Sequence, residues 1–78
     1  MTLKIISSSD VLFQGEVTAV TLPGQKGSFT VLNNHASLIS TLTPGTIRFR
    51  AVDGHEQTVE IGGGIADVDN NVVSVCVN

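Results

Sequence analysis

The sequence predicts an all-β fold, a sandwich or flattened barrel of short strands. Short runs of alternating apolar and polar residues recur along the chain, Gly, Asn or Pro punctuates them at close spacing, and no segment has a secure helical pattern.

Leu3–Ser7 opens as a strand and Ser8-Ser9-Asp10 supplies turn chemistry, because these side chains bond their own backbone. Val11-Leu12-Phe13 reads as a brief strand closed by Gln14-Gly15. Its text, VLFQG, resembles a picornaviral protease recognition sequence, but it sits inside a patterned domain and lacks the usual following proline, so it reads as strand and turn. Glu16–Leu22 is rich in β-branched residues and stops at Pro23-Gly24. Gly27–Leu32 sets Phe29 and Val31 against Ser28 and Thr30, the alternation of a half-buried strand, and Asn33-Asn34 turns the chain.

His35–Leu42 carries two signals. Leu38, Ile39 and Leu42 have helical spacing with Asn34 as a possible cap, yet Ser37, Ser40 and Thr41 are poor helix formers, so the run reads as a strand or irregular strand. Thr46–Ala51 alternates cleanly, Asp53-Gly54 predicts a type I′ hairpin turn, and Glu56–Ile61 is the returning strand. That pairing brings Glu56 and Glu60 near Arg48 and Arg50, which read as a solvated strand face. Gly62-Gly63-Gly64 breaks the ladder. Ile65–Val68 and Val72–Val77 then form a second hairpin around Asp69-Asn70-Asn71. The last strand is apolar on both faces, so something should cover it. The predicted interior is Ile5, Val20, Phe29, Val31, Leu38, Ile47, Phe49, Val59, Ile61, Ile65, Val73 and Val75.

The 78 residues make one domain with a small core, and 41% hydrophobic against 14% charged residues excludes a disordered chain. No run approaches the roughly 18 apolar residues of a membrane span, and no basic segment precedes an apolar leader. The net charge is −3, with only Lys4, Lys26, Arg48 and Arg50 basic and only Phe13, Phe29 and Phe49 aromatic, which argues against nucleic acid. One cysteine, Cys76, excludes an internal disulfide and suits a reducing compartment.

Chemistry is sparse. His35, His55 and Cys76 lack metal-site spacing, so no metal is expected. Cys76 lies in an apolar strand and reads as a buried, inert thiol. No Gly-x-Ser-x-Gly elbow exists, and Asp67 and Asp69, on one face near a turn, read as solvated. Gly24-x-x-Gly27 and Gly62-Gly63-Gly64 lack the helix and Lys-Ser/Thr pair of a phosphate loop; the triple glycine reads as a bend where another backbone comes close. No catalytic residues, cofactor or metal follow, and binding is the function expected of such a module.

The order Glu16-Val17, Pro23-Gly24-x-x-Gly27, Asn33-Asn34-His35-Ala36-Ser37-Leu38-Ile39, Pro44-Gly45-Thr46-Ile47-Arg48, Gly63-Gly64-Ile65-Ala66-Asp67-Val68 and Asn71–Val75 resembles the epsilon subunit of F-type ATP synthases. Family members read approximately G-E-V, P-G-x-x-G, P-G-H-A-P-L-L, P-G-x-x-R and G-G-x-x-E-V…V-x-V. The resemblance implies a flattened sandwich of about ten short antiparallel strands, residues 1–78 forming one such domain. It implies a non-catalytic rotor subunit of the central stalk, peripheral on the cytoplasmic face of the bacterial inner membrane. Its partners would be the gamma subunit, on an apolar sheet face not assigned from the sequence, and the c-subunit ring. It would pass proton-driven rotation to the catalytic head.

By the same resemblance, two neighbouring loops face the c ring: Gln25, Lys26, Gly27 and Ser28, and Asn33, Asn34 and His35. His35 either touches the ring or holds its own loop through a turn bond. Three departures matter. The chain stops at Asn78, where the family continues into two helices; ending on a strand favours a naturally short form without helix-mediated inhibition or ATP sensing. Both prolines and the glycine of P-G-H-A-P-L-L are replaced. Ser28 stands where an acidic residue often faces the c ring. The alternative is a small β-sandwich ligand- or protein-binding module unrelated to ATP synthase.

Overall fold

A computed structural model describes residues 1–78 and contains eight strands and no helix. They are β1 (Thr2–Ile6), β2 (Val11–Gly24), β3 (Gly27–Leu32), β4 (Leu38–Leu42), β5 (Gly45–Ala51), β6 (Glu56–Ile61), β7 (Gly64–Asp69) and β8 (Val72–Val77). One hydrogen-bonded sheet runs β1-β8-β7-β4-β2-β5-β6; β3 joins β2, and β1 also pairs with β2. The expected count of about ten is therefore eight. The pairing is antiparallel throughout except between β1 and β8, which run parallel.

The count falls because β2 absorbs two predicted strands and both of the breaks assigned to it. Gly15 stays in register opposite Leu3, and Pro23 stays opposite Ser28. Fourteen residues at about 3.3 Å each would span roughly 46 Å if straight, yet the longest dimension of the molecule is 27 Å. β2 must therefore bend, and it does so at Val17–Ala19, where its register against β5 shifts. Burial changes parity there: Phe13, Gly15 and Val17 face inward before the bulge, and Val20, Leu22 and Gly24 after it. The first half pairs β1 and the second pairs β3 and β5, so β2 folds the sheet into two layers.

The core between the layers holds Leu3, Ile5, Val17, Val20, Leu22, Val31, Ile47, Phe49, Ala66, Val68, Val73 and Val75, with Met1, Leu42 and Ile61 at its margins. Phe13 and Phe49 stack tilted across it at 4.3 Å between ring centroids. Phe29, Leu38 and Val59, expected inside, are only half-buried against this cluster. Ile65 and Cys76, both expected inside, are exposed. Ala66 pairs Val75 and Val68 pairs Val73, so the inward positions of this hairpin are taken and the facing pair Ile65–Cys76 points out.

The two hairpin turns exchange chemistry relative to expectation. Asn70 and Asn71 have φ of 49° and 62°, the two positive values a type I′ turn needs. In the β5–β6 connection only Gly54 has a positive φ, at 94°, so no type I′ turn forms. The chain instead makes a longer loop in which the Ala51 N–H donates to the His55 carbonyl and the Gly54 N–H to the Ala51 carbonyl, each at 2.9 Å. The triple glycine does bring backbones together: a Cβ on Gly64 would collide with the Cys76 carbonyl.

Candidate functional site

The β2–β3 hairpin positions the first predicted loop. Gly24 must lack a side chain, since a Cβ there would lie 2.8 Å from the Phe29 ring and 2.7 Å from the Gly27 carbonyl. Gly27, at φ 127°, completes the turn, and the Gln25 N–H donates to the Thr41 carbonyl at 2.9 Å, pinning the loop to β4. Gln25, Lys26, Gly27 and Ser28 are all exposed.

Asn33–His35 follows β3 at its other end. Asn33 accepts from the Met1 ammonium at 3.0 Å, and Asn34, at φ 62°, donates its N–H to the Asn71 side chain at 2.8 Å. The His35 N–H donates to the Leu32 carbonyl at 3.2 Å, and its Nδ1 lies 2.7 Å from the Ala36 carbonyl, so the half-buried ring donates within its own turn. Two residues on, Ser37 donates to the Asp69 carboxylate at 2.6 Å. The loop is thus tied to the β7–β8 turn.

The two loops are not neighbours. β3 separates them, and its six residues span about 20 Å. They bracket one strand whose other edge carries no partner strand. Backbone groups there are free to meet something outside the chain.

A second surface was not assigned from the sequence. On the outer face of β1, β8, β7 and β4, the register aligns Ile6, Cys76, Ile65 and Thr41 in one transverse row, with Ile39 diagonal to Ile65. Ile39 is 75% and Ile65 54% exposed, and the register makes them neighbours on one face. The signal was present in the doubly apolar Val72–Val77 strand, whose uncovered face lies here. The adjacent row runs Lys4, Ser74, Asp67 and Ile39, polar except at its β4 end.

The remaining polar groups are solvated. Asp53 and His55 pair at 2.9 Å on the β5–β6 loop. The backbone N–H of His55, then its ring, holds the Asp53 carboxyl below its usual range, and the hydrogen bond to Asp53 raises His55 above its own. Asp69 is exposed and engaged with Ser37, and Asp67 faces Ser74. No three His, Cys, Asp or Glu side chains converge. The geometry offers contact surfaces.

A family described as "ATP synthase, Delta/Epsilon chain, beta-sandwich domain" matches residues 1–78. The chain is 40% identical over 75 residues to the ATP synthase epsilon chain of Nitratiruptor sp., covering 96% of this chain and 58% of that one. It is 37% identical over 73 residues to the epsilon chain of Bordetella petrii, covering 94% and 52%. The chain therefore spans about half the length of the curated relatives it matches. A chain in the Euglena gracilis mitochondrial ATP synthase structure (OSCP/F1/c-ring) superposes with TM-score 0.90 at 26% identity, covering 96% of this chain and 48% of that one. One in the Tetrahymena thermophila mitochondrial ATP synthase central stalk and c ring shares the fold at TM-score 0.82 and 16% identity, covering 97% and 61%.

Proposed function

The chain belongs to the β-sandwich domain family of ATP synthase delta/epsilon chains, and from that premise we propose that it is a non-catalytic rotor subunit of the central stalk. In this reading it binds gamma and the c ring, and carries proton-driven rotation of the ring to the catalytic head. It sits peripherally on the cytoplasmic face of a bacterial inner membrane. The observation that carries the proposal is the match of the family along all of residues 1–78, supported by a superposition at TM-score 0.90 on a chain of an ATP synthase structure.

Two surfaces divide the work. The free edge of β3 with its bracketing loops, Gln25–Ser28 and Asn33–His35, forms one strip toward the c ring. With Ser28 uncharged, that contact rests on Lys26, the Asn side chains and backbone groups. The outer row of Ile6, Cys76, Ile65 and neighbouring Ile39 is the face for gamma, since burying it would remove the exposed apolar surface from water. Both contacts transmit force mechanically, so no proton or bond need be handled by this chain.

Co-expression with gamma tests the assignment: the two should co-elute from a sizing column. A chain that elutes as a monomer while gamma elutes alone would overturn it. For the ring, single cysteines at Gln25, Ser28 and Asn34, in a Cys76→Ser background because Cys76 is exposed, should crosslink to a cysteine in the polar loop of c. Crosslinks absent from all three would remove the β3 strip from the ring interface.

A further inference from the structure

The outer face of the β3-β2-β5-β6 layer holds a feature to which the proposed stalk contacts assign no role. The register aligns Leu32–Ala19–Arg50–Glu56 in one row and Thr30–Thr21–Arg48–Thr58 in the next. In the first row the charges cancel, Arg50 lying 3.9 Å from Glu56. Glu60, the other acid on β6, is engaged by the Thr46 hydroxyl at 2.5 Å. Arg48 has Thr21 and Thr58 beside it in its row, with Glu56 and Glu60 diagonal on β6, and belongs to no ion pair. The small side chain of Ala19 leaves an open depression of about 230 Å³, lined also by Thr21, Thr30, Arg48, Arg50 and Glu56. With two arginines and one glutamate, its net charge is +1 on a chain of net charge −3.

The hydroxyl chemistry completes the set. Thr21 and Thr30 share one hydrogen bond at 2.9 Å, so whichever oxygen accepts keeps its own proton free to donate. A guanidinium fork beside a free O–H offers several donors to one oxyanion, and the one carboxylate of the lining, Glu56, is ion-paired with Arg50. We propose that Arg48, with Thr21 and Thr30, forms a binding subsite for a phosphate group, inorganic or carried by a nucleotide. A flat carboxylate could use the fork but would leave the threonine donor unmet; a tetrahedral phosphate can reach both.

Backbone and arginine side-chain NMR shifts of the protein, followed at constant ionic strength, test this with inorganic phosphate, ADP and acetate as separate titrants. Phosphate should give saturable shifts confined to Thr21, Thr30, Arg48 and Arg50. Arg48→Gln should weaken binding by about tenfold or more, while Lys4→Gln, on the other layer, should leave it unchanged. Equal affinity for phosphate and ADP would assign the subsite to the phosphate group alone; tighter ADP binding with the same shifted residues would assign it to a nucleotide. Shifts that do not saturate, that survive Arg48→Gln in a folded variant, or that acetate reproduces at equal affinity would overturn the proposal.

Discussion

The backbone N–H of Asn34 donates to the side-chain oxygen of Asn71 at 2.8 Å, joining two turns that lie 37 residues apart in the chain. Asn71 has two tasks, because it also supplies a positive φ of 62° to the β7–β8 turn. Asn71→Gly separates them: glycine keeps the turn conformation and removes the hydrogen bond. We expect a stability loss of about 0.5–1.5 kcal/mol by denaturant unfolding. Amide exchange should speed up at residues 33–37 and stay unchanged in β5 and β6. Uniform acceleration across the domain would show that the bond carries no local ordering of the loop.

Gly64 should be the least replaceable of the three consecutive glycines. A Cβ at Gly64 meets the Cys76 carbonyl inside the β7–β8 ladder, whereas one at Gly62 meets nothing within 4 Å. Gly64→Ala is therefore expected to cost about 3 kcal/mol or more, and Gly62→Ala to stay within about 0.5 kcal/mol. Paired thermal melts of the two variants check this, and equal melting points would contradict the close approach.

These two sites show what was legible beforehand. The bend at the triple glycine and the turn at Asn33-Asn34 follow from residue type, and β3, β5 and β6 follow from alternation, with β1, β7 and β8 read from short apolar runs between turn residues. The continuity of β2 does not. Gly15 and Pro23 carry ordinary stop signals, and tertiary pairing overrides both; Pro23 lacks an N–H but its carbonyl accepts from the Thr43 N–H at 2.9 Å. The parity change at Val17–Ala19 is likewise set by closing the sandwich. Ile65 was misplaced although its register was readable: it shares the period-2 face of Asp67 and Asp69, which read as solvated, and only β8 is apolar on both faces. The loops of the candidate site came from family resemblance, while their separation was readable from the length of β3.

The Asp53–His55 pair predicts a local pH response at the β5–β6 loop. His55 is raised above 6.5 in the folded chain, so its contribution is complete below that value and is lost as pH rises through the folded pKa. Asp53 is lowered below 3.8, so its contribution is present above that value and is lost as pH falls through the folded pKa. The pair is therefore best formed between about pH 4 and 6.5. Both groups are solvated, so the effect belongs to the loop and leaves global stability nearly flat. An NMR titration should give a higher midpoint for His55 in the native chain than in Asp53→Asn. Identical midpoints would remove the pairing.

The exposed apolar row supplies the sharpest test of the proposed gamma contact. Ile65 faces outward opposite Cys76, so Ile65→Asp should leave folding nearly intact, with a change within about 0.5–1 kcal/mol. A carboxylate in the middle of a desolvated contact is different, because it loses water without gaining a partner. Affinity for gamma should fall by about 30-fold or more, equivalent to roughly 2 kcal/mol at a central contact. Thr58→Asp, on the outer face of the other layer, is the matched control and should bind as the native chain does. If Ile65→Asp binds gamma with native affinity while Thr58→Asp does not, the gamma face lies on the β2–β5 layer instead. Strand register would then make Arg48 and Arg50 part of that contact.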